Sequence, residues 1–271
     1  MHEPLIQLNK DTILSGLQTY LIDLTVIDSI DSTNNFFKSQ TQAYTCPCVI
    51  IAETQTQGRG RFNRPWHSPF GQNIYLSMLY AFDKSLSELE GITLVVSLAI
   101  CKAIELFIHQ KNTLKLKWPN DVYVDDKKLS GTLIEVHRAY PDHAELTIGI
   151  GINVNMLHTK EHSIQKDWIS LQEITRTYHN RNGLCSILIQ TLLDTLDCFY
   201  KKGFSGFLDE WNQRDYLLNQ FITLESNGAS YSGITQGVNE HGQLRLTRKG
   251  LATKTFSSGE TTLNSLGFVK E

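Results

Sequence analysis

The chain changes character at Asn219, and this change limits its possible folds more than any other feature. Beyond it, turn sequences such as Asn227-Gly228 separate short apolar runs at residues 221–224, 231–235, 244–246 and 252–256. Asn-Gly between apolar segments is the strongest short signal for a β-hairpin. The sequence therefore predicts a small all-β barrel of about fifty residues at residues 218–271.

Before Asn219 the pattern alternates between strands and helices. Apolar residues spaced by three and four predict amphipathic helices, and shorter apolar runs predict strands. Ser87 and Glu90 form a possible capping box, and the Asp-Ser-Thr sequence at residues 31–33 suits a helix N-cap. The predicted helices cover residues 33–38, 92–107, 184–199 and 204–214. The predicted strands cover residues 24–30, 49–52, 74–82, 114–117, 129–137 and 144–153. This is an α/β (α+β) fold, in which a mixed β-sheet is flanked by helices.

Composition limits the functional classes. The chain has 271 residues, of which 41% are hydrophobic and 20% charged, as in an ordinary soluble globular protein. A net charge of −3 gives no bulk attraction to nucleic acid, so we expect no DNA binding. The most apolar segment, residues 92–108, is interrupted by Lys102 and Glu105, and charges interrupt residues 1–23. We therefore expect no membrane span and no signal peptide, and a cytoplasmic location.

The cysteines predict neither a disulfide framework nor a zinc site. They are odd in number, and no matching Cys/His pair follows the lone Cys-Pro-Cys sequence. We expect small, buried, reduced side chains. The cysteines are Cys46, Cys48, Cys101, Cys185 and Cys198.

Residues 58–61 alternate two glycines with two arginines, Arg59 and Arg61. Glycine lets a backbone approach a ligand closely, and arginine binds carboxylate or phosphate through two hydrogen bonds. The combination suits a loop that closes over a small anion. A short Gly/Arg stretch is also common on solvated surfaces, so the loop alone leaves both interpretations open.

Further motifs decide between them. In chain order these are Asp-Ser-Thr-Asn at residues 31–34, Ser-Pro-Phe-Gly-Gln-Asn at 68–73, Lys-Trp-Pro-Asn-Asp-Val at 117–122, Lys-Lys-Leu-Ser-Gly at 127–131, Gly-Ile-Gly-Ile-Asn at 149–153 and Trp-Ile-Ser-Leu-Gln at 168–172. Together with the Gly/Arg loop they closely resemble the biotin protein ligase family, from about residue 28 to about residue 172. The resemblance implies a class II synthetase-like catalytic domain at residues 1–217 and an SH3-like domain at residues 218–271.

The resemblance also implies an activity, that of a biotin–[acetyl-CoA-carboxylase] ligase. Such an enzyme joins biotin to ATP as biotinyl-5′-AMP and then transfers biotin to a lysine of an acceptor. The implied cofactors are ATP and Mg²⁺, and the implied partner is a biotin carboxyl carrier protein or a similar acceptor domain. A homodimer is possible. Both steps concentrate negative charge, so the site needs cations, close backbone donors and exclusion of water.

The resemblance assigns catalytic roles to Lys128, Arg59 and Arg61. Lys128 is our first choice for the group that contacts both carboxylate and α-phosphate, because a compact ammonium suits a point contact. We expect Lys127 to be solvated, and Lys117 to lie either at the core edge or towards phosphate. The matching biotin-binding positions are Ser32, Thr33, Asn34, Gln55, Gly58, Arg59, Gly60, Arg61, Lys128 and Gly131. For Ser32 and Thr33, helix capping is an alternative that can hold at the same time.

The resemblance places ATP against Arg64, Asn120, Asn153 and Trp168. Asp121 is the candidate magnesium ligand, with capping of a turn as its alternative. Trp168 either covers the adenine or is a core aromatic, and its polar neighbours at residues 165–167 favour the cover. We expect Trp66 to pack against the loop, with a core position as the alternative.

The chain departs from the family pattern in two places. Phe62-Asn63 stands where many relatives have glycine or arginine; Asn63 tolerates positive φ, whereas Phe62 leaves the exposure of the loop open. In addition, 31 residues precede Ser32, too few for the DNA-binding domain of some bacterial relatives, so we expect a monofunctional ligase.

Two other functions are less compatible with these residues. Lipoate ligases and octanoyl transferases share the fold but lack the Gly-Arg-Gly-Arg loop together with Lys-Trp-Pro-Asn-Asp. A non-catalytic sensor of biotin or nucleotide would not need Lys128, Arg59 and Arg61.

Overall fold

A computed structural model describes residues 5–38, 47–109, 114–157, 167–248 and 250–263. Seven strands form one mixed sheet, and five strands form a second, antiparallel sheet. The mixed α/β architecture expected from the sequence is therefore confirmed.

The large sheet has the strand order β1-β2-β3-β7-β6-β5-β4. Only β1 and β2 run parallel, and every other neighbouring pair is antiparallel. Its strands are β1 (Asp23–Ile30), β2 (Cys48–Gln55), β3 (Ile74–Phe82), β4 (Lys115–Lys117), β5 (Asp121–Val124), β6 (Lys127–Tyr140) and β7 (His143–Ile152). The apolar run in β2 is buried on both faces, as a continuous run predicts.

Six α-helices accompany the sheet in the described residues. They are α1 (Lys10–Ser15), α2 (Thr33–Lys38), α3 (Ile92–Ile108), α4 (Leu171–Thr175), α5 (Arg181–Lys202) and α6 (Leu208–Arg214). Helix α3 packs against α5 and against β5 and β6, and α1 packs against α5. Short 3-10 helices occupy Leu86–Leu89 and Phe204–Phe207, and Arg61–Asn63 forms a tight turn in which the backbone of Phe62 is not helical.

The expectation that charges disqualify the segment around α3 as a membrane span is wrong by length and composition. Leu86–Ile108 is long and apolar enough to cross a membrane. In this fold, however, most of α3 is buried in the core. Its two charges pair with α6, Lys102 with Glu210 at 2.8 Å and Glu105 with Arg214 at 2.7 Å. Its apolar composition is therefore accounted for by its position in the core.

Some local predictions were displaced or missed. The capping box is formed by Ser85 and Glu88, whose carboxylate accepts a hydrogen bond from Ser85 N at 3.0 Å, and it begins a 3-10 helix rather than α3. Helix α3 begins after Gly91, at φ +80°. The predictions missed α1, α4, β5 and β12, which are short elements that contain too few residues to show a period.

The second sheet has the strand order β11-β10-β9-β8-β12. Its strands are β8 (Phe221–Ser226), β9 (Ala229–Val238), β10 (Leu244–Thr247), β11 (Lys254–Phe256) and β12 (Glu260–Leu263). Asn227 and Gly228 both have positive φ and connect β8 to β9, as the hairpin signal predicted. The SH3-like barrel and the boundary at 217/218 stay predictions.

Trp118 lies where the two sheets meet. Its indole Nε1 donates to the backbone oxygen of Gly242 at 3.0 Å, and its own backbone oxygen accepts from Thr261 Oγ1 at 3.3 Å. Next to it, Leu116 of β4 pairs with Asp215, just before the second sheet begins. The segment that carries the Lys-Trp-Pro-Asn-Asp motif is thus held by contacts with Gly242 and Thr261 of the second sheet region and, through Leu116, with Asp215.

The cysteines in the described residues are small core side chains, as expected. Cys48, Cys101 and Cys185 are buried and Cys198 is half-buried. Burial raises the pKa of the Cys185 thiol to about 12, so this thiol stays protonated and unreactive. Cys46 lies outside the described residues.

Candidate functional site

The Gly/Arg loop connects β2 to β3, and its first glycine is required by close packing. A Cβ on Gly58 would lie 2.7 Å from Ser68 Oγ and 2.8 Å from the backbone oxygen of Trp66. Gly60 has no such neighbour; its N–H donates to the backbone oxygen of Arg64 at 2.8 Å. This closes the base of the loop as a narrow turn.

The tip of the loop has an unusual backbone. Phe62 and Asn63 both have positive φ, 56° and 55°, a region that non-glycine residues seldom occupy. The turn expected at Asn63 therefore exists, and it includes Phe62. The Phe62 ring is 64% exposed and lies under the guanidinium of Arg61, 5.0 Å from the ring centroid.

Arg59 and Arg61, to which the resemblance assigns catalytic roles, contact different partners in this structure, and those roles stay predictions. Arg59 Nη2 contacts Glu135 of β6 at 3.0 Å. Arg61 Nη1 instead donates to the backbone oxygen of Gly259, beside β12, at 3.0 Å. Because each guanidinium has a partner on a different sheet, the two side chains are drawn apart.

Arg64, which we expected near ATP, is also bound to the second sheet. Both of its terminal nitrogens contact the two carboxylate oxygens of Glu260 in β12. The hydrogen bonds to Glu260 raise the pKa of Arg64. The three arginines thus connect the loop to both sheets.

Glu135 is the centre of a polar cluster that the sequence did not reveal. Its carboxylate accepts hydrogen bonds from Asn34 Nδ2 at 2.8 Å and Lys38 Nζ at 3.0 Å, in addition to Arg59. Burial acts to raise the pKa of Glu135, but the hydrogen bonds from Asn34 and Lys38 and the charge of Arg59 hold it below the usual range. The carboxylate therefore stays ionised and orients two of the expected biotin-site residues.

The structure brings together the expected biotin residues of α2 and β2. Gln55 Oε1 accepts from Thr33 N at 2.9 Å, and Gln55 Nε2 donates to Ser68 Oγ at 3.2 Å. Ser77 Oγ lies 2.8 Å from Thr33 Oγ1 and 2.6 Å from Asn34 Oδ1. Ser32 is buried beside them, directly before α2. Sequence reasoning missed Ser77 and Ser68, which are polar residues next to strand β3 or within it.

Three glycines on adjacent strands make room for this cluster. Gly131 of β6 lies opposite Gly151 of β7, and Gly149 lies two residues from Gly151 on the same face. A Cβ on Gly149 would lie 2.1 Å from Asn34 Oδ1, and one on Gly151 would lie 2.5 Å from the Trp66 ring. The Gly-Ile-Gly sequence thus leaves a shallow trough in the sheet, into which Asn34 and Trp66 fit.

Lys128 lies at the end of this trough. Its Nζ is 2.7 Å from Asp121 Oδ1 and 5.3 Å from the centroid of the Trp66 ring. A Cβ on Gly131 would approach Lys128 Nζ to 2.9 Å, so glycine leaves space for the ammonium. Trp66 Nε1 is buried and has no hydrogen-bond partner among the described residues.

The structure also shows where Asp121 and the two lysines near it lie. Asp121 does not cap a turn; it is the first residue of β5 and pairs with Lys128. Lys127 is exposed, as expected. Lys117 is at the edge of the core, with its Nζ 5.2 Å from the centroid of the Tyr123 ring.

The expected ATP-binding asparagines hold the backbone around Lys128. Asn120 Nδ2 donates to the backbone oxygen of Thr132 at 2.7 Å. Asn153 Nδ2 donates to the backbone oxygens of Lys128 at 3.3 Å and Ile169 at 3.2 Å. Both side chains therefore fix the position of β6.

Trp168 is buried, contrary to the argument from its polar neighbours. It is 5% exposed and pairs with Lys128 in a β-bridge, so the sheet draws its segment inward. This burial agrees with the core position that the sequence left as an alternative, and the role of Trp168 as a cover for adenine stays a prediction.

The described residues contain no group of three or more His, Cys, Asp or Glu side chains arranged to hold a metal ion. Asp121 is one carboxylate beside one ammonium. It fits a metal that takes most of its ligands from bound phosphates, as Mg²⁺ commonly does.

This geometry can bind a small polar ring and an anion side by side. Buried amide and hydroxyl groups lie in the trough, and Lys128 and the arginine loop lie beside it. A site with cations where negative charges meet suits activation of a carboxylate by a phosphate ester.

Comparison with known proteins agrees with this chemistry. The model of the biotin/lipoate A/B protein ligase family matches residues 26–153. The chain is 34% identical over 263 residues to the bifunctional ligase/repressor BirA of Escherichia coli, covering 97% of this chain and 80% of that protein. It is 26% identical over 215 residues to the biotin–[acetyl-CoA-carboxylase] ligase of Mycobacterium tuberculosis, covering 78% and 77%.

Solved structures show the same likeness. The biotin protein ligase from Aquifex aeolicus in complex with biotin and ATP superimposes with a TM-score of 0.74 at 30% identity. The match covers 89% of this chain and 98% of that one. The likeness therefore extends over most of the length of both chains.

Proposed function

Because the chain belongs to the biotin/lipoate A/B protein ligase family, we propose that it is an ATP-dependent biotin protein ligase. It forms biotinyl-5′-AMP from biotin and ATP and then transfers biotin to a lysine of an acceptor protein. The observation that carries this proposal is the position of Lys128, at the end of a polar trough and beside the Gly/Arg loop.

In the first step a carboxylate oxygen of biotin attacks the α-phosphorus of ATP, and pyrophosphate leaves. Two anions must approach each other, which a nearby ammonium favours. Lys128 exchanges its contact with Asp121 for contacts with the substrate oxygens. Its flexible side chain allows this movement, and Gly131 leaves the space for it.

The polar groups gathered at the trough bind the ring of biotin. Ser32, Thr33, Asn34 and Gln55 supply hydroxyl and amide groups that match a ureido group, which both donates and accepts hydrogen bonds. Gly58 and Gly60 allow the loop backbone to lie close to the ligand. Arg59 and Arg61 add positive charge at the rim.

ATP lies beyond Lys128, against Arg64, Asn120, Asn153 and Trp168. The two asparagines act by fixing β6, and Trp168 supports the same strand. Asp121 is the residue that would hold Mg²⁺, which neutralises phosphate charge when it is bound.

In the second step the amine of an acceptor lysine attacks the carbonyl carbon of the mixed anhydride, and AMP leaves. The acceptor is a biotin carboxyl carrier protein of an acetyl-CoA carboxylase or a similar domain, and the reaction takes place in the cytoplasm.

The net charge of −3 argues against DNA as a partner. The catalytic unit comprises residues 1–217, and residues 218–271 form an SH3-like domain.

Mass spectrometry of a biotin carboxyl carrier domain tests the function. We expect the domain to gain one biotin after incubation with the protein, biotin and ATP-Mg²⁺, and to gain nothing with lipoate. A gain with lipoate alone would identify a lipoate ligase, and no gain with either acid would exclude both ligases for this acceptor.

A further inference from the structure

Three consecutive residues of the second sheet contact two separate segments of the proposed site. The backbone oxygen of Gly259 accepts from Arg61, and the carboxylate of Glu260 binds Arg64. Thr261 Oγ1 donates to the backbone oxygen of Trp118, two residues before Asn120. Residues 259–261 therefore join the Gly/Arg loop to the segment that leads to Asp121.

Close packing sets the position of this contact. A Cβ on Gly259 would lie 2.6 Å from Leu224 Cδ1 and 2.9 Å from the backbone oxygen of Glu225, so only glycine fits without displacement. Strand β12 can therefore lie against β8 and still present the Gly259 oxygen to Arg61. The loop is held by a fixed strand edge rather than by another mobile loop.

Glu260 is electrostatically unfavourable within its own sheet. It lies directly opposite Glu225 of β8, and like charges in that position destabilise a strand pair. The guanidinium of Arg64 lies across the Glu260 carboxylate and offsets this repulsion. A neutral residue would suit the sheet better, so the carboxylate serves the contact with the loop.

The charge of Glu260 also acts on Arg61. Burial lowers the pKa of Arg61, and the charges of Asp121 and Glu260 oppose that shift. Arg61 therefore stays charged in a half-buried position between the loop and the second sheet. Glu260 therefore supports both arginines near the tip of the loop. It contacts Arg64 directly, and its negative charge stabilises the charged form of Arg61.

We infer that Glu260 is a positioning residue, which holds the Gly/Arg loop over the site from the second sheet. This inference rests on the proposed function, because a loop held in place retains biotinyl-5′-AMP until the acceptor lysine arrives. Glu260 acts through Arg64, which it contacts, and through Arg61, which its charge stabilises.

The matched pair of variants is Glu260→Gln and Glu225→Gln. The two carboxylates face each other across β8 and β12, and among the described residues a contact with the loop is seen for Glu260 and none for Glu225. Limited trypsin digestion without substrates gives a readout that does not depend on activity. We expect Glu260→Gln to speed cleavage after Arg59 and Arg61 on the order of fivefold, the effect of losing a partly exposed ion pair. Trypsin should cleave Glu225→Gln at the same rate as the wild type.

A second readout is the escape of the intermediate. With biotin and ATP, Glu260→Gln should label serum albumin on the order of fivefold more than the wild type does, while the rate of pyrophosphate release in the first turnover changes little. Steady-state pyrophosphate release should rise with the labelling, because each adenylate that escapes is replaced from another ATP. Arg64→Gln should speed trypsin cleavage to the same extent, and the double variant should add nothing further, because both changes remove one contact.

The outcomes separate the inference from the proposed function. Wild-type cleavage rates in Glu260→Gln, or independent additive effects of Glu260→Gln and Arg64→Gln, would overturn the positioning role even if the wild type biotinylates its acceptor. Faster cleavage in a protein that transfers no biotin would support the loop contact and refute the ligase. Urea unfolding of both glutamine variants at no lower urea concentration than the wild type shows that the sheet itself is intact.

Discussion

Lys127 and Lys128 are neighbours in β6, yet only one of them faces the trough. Lys127 is exposed, whereas Lys128 contacts Asp121 and the Trp66 ring. We expect Lys128→Ala to reduce the rate of adenylate formation by the equivalent of about 2.7–4 kcal/mol, as loss of one charge-stabilising donor does in other enzymes. Lys127→Ala should change the rate little.

Two measurements separate rate from binding for this pair. Pyrophosphate exchange reports adenylate formation, and calorimetry with biotin alone reports binding. We expect the lysine-to-alanine change at 128 to affect exchange far more than biotin affinity. Intact exchange in that variant would rule out Lys128 as the central residue.

Arg61 is expected to act on retention of the intermediate. Arg61→Gly removes the hydrogen bond to Gly259 and one guanidinium of the loop. At roughly 1.5–3 kcal/mol per charged hydrogen bond, escape of biotinyl-5′-AMP should rise by one to two decades. Streptavidin blotting of a mixture of acceptor domain and serum albumin measures it, with Arg248→Gly as the control, because Arg248 is an exposed arginine directly after β10. If albumin stays unlabelled while acceptor labelling falls, Arg61 serves the chemical step instead.

Alanine substitutions at Gly149 and Gly183 should have opposite effects on the stability of the fold. Alanine at 149 would meet Asn34 Oδ1 at 2.1 Å, in a buried cluster with little freedom to move, and should destabilise the fold by about 1–3 kcal/mol. Alanine at 183, in α5, has its nearest neighbour at 3.6 Å and should stabilise by about 0.5–1 kcal/mol. Urea unfolding curves test both signs. Equal stabilities of the two variants would show that Asn34 yields easily.

At the scale of elements, the loop between β2 and β3 is the segment that ligands should change most. Trypsin should cut after Arg59 or Arg61 in the protein alone, and biotin with ATP should slow that cleavage, because bound ligands add contacts to a loop of low stability. Cleavage at Lys201 and Lys202, the exposed end of α5, is the internal control. Equal loop cleavage with and without ligands would count against closure.

The elements that the sequence predicts are those whose pattern is formed by residues close together in the chain. The apolar run in β2, the spacing in α5 and the Asn227-Gly228 turn each describe contacts that their own residues make. Strand β12 was missed because its four residues alternate without a strong apolar pattern, and its pairing with β8 spans more than thirty residues of chain. The capping box moved by two residues because Ser85 and Ser87 are each followed at the third position by glutamate.

The same distinction applies to the site. The motifs located Asn34, Gln55 and Lys128, which the fold does gather near one trough. They did not indicate that Arg59 would contact Glu135 or that Arg64 would contact Glu260, because these partners lie 76 and 196 residues away in sequence. A local pattern contains no information about which distant carboxylate a guanidinium will meet.

At the scale of the whole molecule, Asp215 makes stability depend on pH. It lies between α6 and the second sheet, and its Oδ1 accepts a hydrogen bond from Leu217 N at 2.8 Å. Burial raises its pKa from 3.8 to about 6. Between these values the folded protein binds more protons than the unfolded chain, so stability falls as pH rises from about 4 to about 6, by up to about 3 kcal/mol.

Asp215→Asn should remove this fall, and the control is Asp209→Asn on the exposed face of α6. Urea unfolding at pH 4, 5, 6 and 7 gives the slope for each variant. A slope unchanged by Asp215→Asn would mean that another group titrates in this range.

The position of residues 259–261 has a consequence for the newly made chain. Translation produces the trough, Lys128 and the Gly/Arg loop well before it produces β12, so a ribosome-bound chain holds the parts that bind substrate without the strand that anchors the loop. A nascent chain in that condition would lose any activated biotin to nearby amines. Strand β12 is synthesised after every other segment of the site. The enzyme can therefore retain its intermediate only when translation of the described fold is nearly finished.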